Sequence, residues 1–127
     1  MQSMDAVEVV GRLWESFASR DWVAAGQALA ADVEVEWPHS AERIRGRDNV
    51  IGVNADYPGD WSIRVLQLLG VGDDVASQVE VRNGDQLFWA ASFFRVSGGL
   101  ITHIREYWVD APAEPPPAWR RRYTEPL

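Results

Sequence analysis

The 127-residue sequence contains no cysteine, which excludes disulfides, thiolate catalysis and cysteine-based zinc sites. It has only two histidines, His39 and His103, which we expect on different faces, so no metal site has convincing spacing. No apolar run approaches the ~20 residues that span a bilayer. The first residues, Met1 to Asp5, lack the basic start and apolar stretch of a signal peptide. We therefore expect a cytoplasmic protein, and no motif implies a metal or another cofactor.

Positive charge is also scarce, with 12 basic against 19 acidic residues and a net charge of −7. Such a chain repels phosphate backbones and anionic lipid surfaces, so we expect neither a nucleic-acid nor a membrane partner. The one basic cluster, Arg120 to Arg122, is three residues long and lies in a proline-rich tail. That setting is typical of a solvated tail rather than a docking patch.

What the chain does have is the length and the 46% hydrophobic share of one globular domain. We expect a single domain over residues 1–127, with a proline-rich tail at 111–127. Its seven tryptophans suit a pocket wall or an interface, although each could equally fill the core.

Apolar spacing in the first half predicts helices and one short strand. Residues at intervals of three and four predict a helix from Met4 to Ser19, with Ser3 as its cap and Asp5 in its first turn. This stripe consists of Val7, Val10, Leu13, Trp14 and Phe17. Asp21 can cap a second helix. The alternation in Val33–Trp37 predicts a strand that Pro38 ends.

The middle of the chain is punctuated by proline and glycine. We expect a loop from Pro38 to Gly46, then a short helix from Asp48 that Tyr57-Pro58-Gly59 closes.

The second half reads as four long strands joined by tight turns. They are Ile63–Gly70, Val75–Arg82, Gln86–Val96 and Leu100–Val109. Asn83-Gly84 and Ser97-Gly98-Gly99 mark two of the turns. Helices followed by an antiparallel meander predict an α+β fold, with the helices on one face of the sheet.

The third of these strands is apolar on both faces. Phe88, Ala90 and Phe94 alternate with Leu87, Trp89, Ala91 and Phe93. The helices can cover only one face, so we expect the other to pack against a second copy of the chain. The sequence therefore predicts a homodimer joined sheet to sheet.

The helix pair, the strand ending in Trp37-Pro38, and the segment from Gly98 to Trp108 resemble the nuclear transport factor 2-like superfamily. The resemblance covers roughly residues 4–110 and is strongest to the SnoaL-like, polyketide-cyclase-type branch. It implies a cone-shaped barrel in which a strongly curved, mostly antiparallel sheet and the N-terminal helices enclose a pocket. The superfamily includes isomerases, cyclases, dehydratases and epoxide hydrolases, so the resemblance does not fix the reaction.

Residues can be carried over from two kinds of relative. Matching to ketosteroid isomerases places their general-base Asp at Trp37, their second Asp at Ser92, and their tyrosine at or beside Leu13 or Trp14. All three chemical groups are absent, which argues against ketosteroid isomerization.

Limonene-epoxide-type hydrolases use an Asp-Arg-Asp trio. Its first Asp matches Glu80, its Arg matches Gln78 and its second Asp matches Glu106. Glutamates thus replace both aspartates, and a glutamine replaces the arginine. This departure argues against epoxide opening but leaves acid–base chemistry open.

Glu106 is the most informative polar residue. It shares a strand face with Leu100, Thr102, Ile104 and Trp108, so its carboxyl should lose hydration and its pKa should rise. A raised carboxyl suits a general acid or base near neutral pH. The alternative is a structural glutamate held by an arginine or a backbone donor.

Glu80 and His39 complete the predicted catalytic set. Alternation with Val79 and Val81 puts Glu80 on the solvent face, and only the family match turns it inward. His39 follows the strand-ending proline at the expected mouth of the cone, where it could carry a proton or simply be solvated.

We expect the ligand-binding residues to be mostly aromatic or apolar. They are Trp14, Phe17, Trp37, Val53, Asn54, Tyr57, Trp61, Gln78, Phe88, Ser92, Ile104 and Trp108. Such a pocket suits a small, flat, apolar ligand. The leading hypothesis is a cyclase, isomerase or dehydratase. The alternatives are a non-catalytic dimer that binds an apolar metabolite, and an interaction domain whose pocket has collapsed.

Overall fold

A computed structural model of the chain describes residues 5–127. In chain order its elements are α1 (Ala6–Ser19), α2 (Trp22–Gln27), β1 (Leu29–Trp37), β2 (Glu42–Arg45), α3 (Arg47–Ala55), β3 (Trp61–Val71), β4 (Asp74–Asn83), β5 (Gln86–Ser97), β6 (Leu100–Asp110) and a 3₁₀ turn (Ala118–Arg120). Within this part of the chain, no helix is long and apolar enough to cross a membrane.

Aspartates begin both N-terminal helices. Asp5 caps α1 by accepting a hydrogen bond of 2.8 Å from the backbone of Glu8, whereas Ser3, the predicted cap, lies outside the described residues. Asp21 caps α2 through the backbone N–H of Ala24, as predicted. Arg20 ends α1 in the left-handed conformation, with φ at 58°.

The six strands form one curved sheet in the order β2-β1-β6-β5-β4-β3. The predicted meander of four long strands is confirmed, and β1 joins it by pairing in parallel with β6. The predicted loop at 38–46 is wrong in part, because Glu42–Arg45 forms an edge strand on β1. The α+β fold is confirmed, although the sheet stays open, with β2 and β3 at its edges, rather than closing into a barrel.

A β-bulge sets which side of β6 faces the helices. Arg95 pairs with His103 but Val96 pairs with Ile101, so Thr102 is an extra residue in β6. Ile101 and Ile104 are consequently both buried on the concave face. The prediction that they alternate across the sheet, with Thr102 beside Ile104, is therefore wrong.

The core lies between α1 and the concave face of the sheet. The predicted stripe of α1 is buried except for Val7, which is half-buried; Val10 is 0% and Leu13 1% exposed. The helix approaches β3 so closely that a Cβ on Gly70 would overlap the Val7 side chain. Packing of α1 therefore depends on the missing side chain at this glycine.

The convex face of the sheet remains partly apolar and exposed. Phe93 is 53% exposed, Tyr107 39% and Val109 60%, and the rings of Phe93 and Tyr107 pack edge to face at 6.4 Å. These side chains come from the two strands at the centre of the sheet, and the helices lie on the opposite face.

Candidate functional site

Glu106 lies on the concave face of β6 and is buried, with 8% of its surface exposed. Ser92, directly opposite on β5, donates a hydrogen bond of 2.6 Å to its Oε2. The indole N–H of Trp37, at the end of β1, donates one of 3.1 Å to its Oε1. Both partners are neutral, and the ion pairs within residues 5–127 do not include Glu106.

Burial raises the pKa of Glu106 above its ordinary value of 4.5. The hydrogen bonds from Ser92 and Trp37, and the nearby indole of Trp108, stabilise the carboxylate and lower the pKa, but loss of hydration outweighs them. The rise agrees with the sequence prediction for a carboxyl among apolar neighbours. It brings protonation of Glu106 closer to neutral pH, where one group can both accept and donate a proton.

The carboxyl ends a polar row that crosses three strands. Ser77, Ser92 and Glu106 occupy paired positions on β4, β5 and β6. The indole of Trp14 donates to Ser77 Oγ at 3.1 Å, as that of Trp37 does to Glu106. Tryptophans thus bind both ends of the row.

A narrow cavity of about 20 Å³ borders Glu106. It is lined by Leu13, Trp14, Phe17, Val35, Trp37, Ile44, Val50, Asn54, Phe94, Ile104, Glu106 and Trp108. A volume of about 10–15 Å³ is the minimum that holds a water molecule. The space beside the carboxyl therefore admits one water-sized group.

A larger pocket of about 640 Å³ lies further out. Its lining is Trp14, Trp37, Val53, Asn54, Tyr57, Trp61, Ile63, Val81, Asp85, Gln86, Leu87, Phe88, Trp108, Asp110, Ala111 and Pro112. Trp14, Trp37, Asn54 and Trp108 also line the narrow cavity, so they separate the two spaces. The narrow cavity, which borders Glu106, and the outer pocket are thus neighbours that share one wall.

Four aromatic rings form a continuous wall of the outer pocket. Trp61 contacts Tyr57 at a centroid distance of 6.5 Å, Tyr57 contacts Phe88 at 6.2 Å, and Phe88 contacts Trp108 at 5.4 Å. Asn54 adds a polar group, since its amide N–H donates to the Val50 carbonyl at 2.8 Å and leaves a second amide hydrogen. The pocket can therefore hold an apolar molecule and hydrogen-bond one polar atom of it.

Most of the predicted ligand residues do line these spaces. They are Trp14, Phe17, Trp37, Val53, Asn54, Tyr57, Trp61, Phe88, Ile104 and Trp108. Ser92 is fully buried and reaches the site through its bond to Glu106.

Glu80 does not share the pocket, so its family-based placement is wrong. It lies on the convex face, where its carboxylate pairs with Arg82 at 3.1 Å. Its neighbours Val79 and Val81 point inward and are buried, as strict alternation requires. Gln78 is exposed on the convex side with Glu80, so it too is excluded from the pocket.

His39 is exposed in the turn between β1 and β2 and lines neither cavity. The expectation that it stands at the pocket mouth is wrong, because the chain turns away at His39 before β2 pairs with β1; from β2, Ile44 lines the narrow cavity. Among residues 5–127, no three His, Cys, Asp or Glu side chains are grouped to hold a metal ion.

Several residues of the site were missing from the prediction. Ser77 had a signal, because it shares a strand face with Val75 and Val79, which are buried. Asp85 and Asp110 had none, since they reach the outer pocket from the β4–β5 turn and from the last residue of β6.

Comparison with known proteins gives a consistent result. Residues 10–104 match the family model of the SnoaL-like domain. A proposed ketosteroid isomerase from Kribbella flavida DSM 17836 is 31% identical, with a TM-score of 0.89 over 98% of this chain and 91% of that chain. No curated protein matches significantly.

Two other solved structures share the fold at lower identity. An NTF-2 like protein of unknown function from Burkholderia xenovorans LB400 is 24% identical, with a TM-score of 0.79 over 94% of this chain and 93% of its own. An LEH-like epoxide hydrolase from M. tuberculosis is 21% identical, with a TM-score of 0.71 over 84% of each chain.

Proposed function

This chain belongs to the SnoaL-like domain family, and from that premise we propose that it is a small-molecule enzyme of the isomerase type. Glu106 is its acid–base group, and the substrate is an apolar molecule that carries a carbonyl. The observation that supports this most directly is a carboxyl of raised pKa in a cavity that shares a wall with an aromatic pocket.

The number of carboxyls favours isomerisation over hydrolysis. An isomerase takes a proton from one atom and returns it to another atom of the same molecule, so one carboxyl suffices. A hydrolase of the Asp-Arg-Asp kind needs a second acid and an arginine, yet Glu80 and Gln78 lie on the opposite face. The 31% identical relative is itself a proposed ketosteroid isomerase.

The residues around the carboxyl differ from those of ketosteroid isomerases. The positions that match their two aspartates hold Trp37 and Ser92, which donate hydrogen bonds to Glu106. The acid thus comes from β6, while the matched positions donate hydrogen bonds that limit the rise of its pKa. A steroid is therefore not the implied substrate, even though the reaction class fits.

The proposed step is a proton transfer next to the carbonyl. In a β,γ-unsaturated carbonyl substrate, ionised Glu106 removes a proton from the carbon between the carbonyl and the C=C bond. The C–H electron pair forms a new C=C bond and the C=O π pair moves onto the oxygen, giving a dienolate. The free amide hydrogen of Asn54 donates to this oxygen. The protonated Glu106 then returns the proton to another carbon of the conjugated system, which completes the isomerisation.

Solvent exchange tests the step without the natural substrate. In deuterated buffer, the protein should speed hydrogen–deuterium exchange next to the carbonyl of 2-tetralone, a flat apolar ketone, above the rate in buffer. Glu106→Gln keeps the size of the side chain and one acceptor oxygen for the Trp37 indole, while its NH2 group can only donate to Ser92. The amide cannot take the proton, so we expect ~100-fold or greater loss. NMR follows the exchange.

Glu36→Gln is the matched control, because Glu36 lies on the convex face and pairs with Arg105. It should leave the rate unchanged. The base form exists only above the pKa of Glu106, so the rate should fall as the pH drops through that pKa. Equal rates for wild type and Glu106→Gln would rule out the proposed role.

A non-catalytic binder is the second candidate, and the small inner cavity favours it. A ligand in the outer pocket reaches Glu106 only with a group as small as a water molecule. In that case the pocket binds 2-tetralone without speeding its exchange. The outer pocket itself counts against an interaction domain with a collapsed pocket.

We also propose that the convex face pairs with a second copy of the chain. Its apolar centre contains Phe93, Tyr107 and Val109. Around this centre, carboxylates are each paired with an arginine: Glu34–Arg45, Glu36–Arg105, Asp74–Arg95 and Glu80–Arg82. Because these charges are balanced within one chain, the face can meet its own copy without the repulsion that a net charge of −7 would otherwise cause.

A further inference from the structure

The charged residues that line the pocket are all acidic. Asp85 and Asp110 line the outer pocket and Glu106 lines the inner cavity. Neither Asp85 nor Asp110 is in an ion pair within residues 5–127. No arginine, lysine or histidine lines either space. A negatively charged ligand would therefore meet only like charge.

The uncharged part of the wall is also suited to a cation. Trp61, Tyr57, Phe88 and Trp108 surround the outer pocket, and the faces of such rings carry partial negative charge. Aromatic walls of this kind bind quaternary ammonium groups. Arg20 shows that a ring of this wall accepts a cation, because its guanidinium stacks on Trp61 at 4.2 Å from the centroid.

Arg20 does not reverse the charge of the pocket. It is not part of the lining. Its guanidinium also donates to the Trp61 carbonyl at 2.9 Å and lies 3.7 Å from Asp60, which offsets its charge.

Basic groups are instead concentrated on the other side of the sheet. All 12 basic residues of the chain are arginines. Six belong to the convex face: Arg43, Arg45, Arg64, Arg82, Arg95 and Arg105. Four of these arginines are paired with carboxylates of the same face, whereas Asp85 and Asp110 at the pocket are in no ion pair within the described residues. The unbalanced charge at the pocket is therefore negative, which attracts cations to it.

We infer that the ligand of this pocket is an apolar molecule bearing a positively charged amine or quaternary ammonium group. This rests on the proposed function of the same pocket and narrows its substrate class. The ammonium group lies among the aromatic rings near Asp85 and Asp110, and the apolar part extends toward Glu106. Binding requires no covalent step.

A pair of probes of equal shape tests the sign of the charge. Choline and 3,3-dimethylbutan-1-ol differ by one nitrogen in place of carbon, and 3,3-dimethylbutanoate supplies the anion. The indole N–H signals of Trp37, Trp61 and Trp108 report binding in NMR titrations. We expect choline to bind about tenfold or more tightly than the alcohol, and the anion more weakly than either.

Substitution locates the effect. Asp85→Asn and Asp110→Asn should each lower the affinity for choline severalfold and leave the affinity for the alcohol unchanged. Asp73→Asn removes the same charge at the opposite end of β3 and β4, so it should change neither. Added salt should weaken the binding of choline but not the binding of the alcohol.

The outcomes separate this inference from the proposed function. The inferred cationic ligand is wrong if the alcohol binds as tightly as choline. It is also wrong if choline does not shift the NMR signals of the pocket indoles. The proposed enzymatic function would still stand in that case, provided that the exchange of neutral 2-tetralone depends on Glu106. If the protein does not speed the exchange of 2-tetralone but binds choline more tightly than the alcohol, the proposed enzymatic function is wrong and the inferred cation-binding pocket stands.

Discussion

At the scale of single residues, the site combines one buried carboxyl with neutral donors. Most buried carboxylates are paired with a positive charge, which lowers their pKa. Glu106 has only the Ser92 hydroxyl and the indoles of Trp37 and Trp108, so burial determines the direction of its shift. The donors limit the shift, which favours the ionised form that the proposed proton transfer requires.

Ser92→Ala should raise the pKa of Glu106 further, because it removes a donor that stabilises the carboxylate. Below the pKa of an unfolded glutamate, neutral Glu106 costs the folded state nothing. As the pH rises through the still higher folded pKa, the variant should lose stability over a wider range than wild type. Titrating the Glu106 carboxyl carbon by NMR measures the midpoint directly.

Ser77→Ala is the matched control for this titration. Ser77 is buried in the same polar row but bonds to Trp14 rather than to Glu106. Loss of the Ser77 hydroxyl should leave the titration midpoint of Glu106 unchanged. A midpoint that does not move in Ser92→Ala, or that moves as much in Ser77→Ala, would contradict the assigned role of the Ser92 hydroxyl.

At the scale of elements, the seating of α1 on the sheet depends on a glycine. A side chain on Gly70 in β3 would overlap Val7 of α1, a branched residue with little freedom to move aside. Because Trp14 and Leu13 of the same helix line the inner cavity, this contact also helps to set the width of the site.

Gly70→Ala should destabilise the fold by about 1–3 kcal/mol, the usual cost of overpacking. In a Val7→Ala background the same change should cost much less, since the overlapping methyl group is gone. Urea denaturation measures both values.

Gly52→Ala provides the control for this pair. A Cβ at Gly52 in α3 would meet no atom within 4 Å, so alanine there should stabilise the helix by about 0.5–1 kcal/mol. Equal costs for Gly70→Ala in both backgrounds would show that the clash with Val7 is not the cause.

The sequence predicts the helices and long strands well because their apolar periods are regular over many residues. It fails where one residue changes the period. The extra Thr102 moves Ile101 to the buried face, and no feature of the sequence marks this bulge. Glu106 was nevertheless placed correctly, because it lies beyond the bulge in register with Ile104 and Trp108.

The site is harder to predict than the fold because its residues meet through long-range pairing. Alternation alone placed Glu80 correctly on the convex face, whereas transfer by family position did not. Asp85 and Asp110 line one pocket only because β5 and β6 pair along their length, with Phe88 opposite Asp110. Such contacts depend on registers that a single sequence does not specify.

At the scale of the whole molecule, the two faces of the sheet differ in the side chains that they present. The concave face holds the pocket, and the convex face presents balanced ion pairs around exposed rings. A dimer joined through the convex face would leave both pockets pointing outward.

Phe93→Glu should weaken this dimer by at least ~30-fold, the effect of losing one central contact worth about 2 kcal/mol. The new carboxylate would also meet its own copy near the two-fold axis. Val23→Glu adds the same charge at a site on α2 that is 74% exposed, and should leave the association unchanged. Sedimentation equilibrium measures both, and a monomeric wild type would refute the proposed pairing.

The parallel pairing of β1 with β6 has a consequence for synthesis. Trp37 and Glu106 bond to each other although 69 residues separate them in the chain. At about 5–20 residues per second, the ribosome takes roughly 3 to 14 seconds to make the intervening segment. During that time β1 can pair only with the short β2 and pack against α2 and α3, so the edge that pairs with β6 stays unpaired until the final strand emerges.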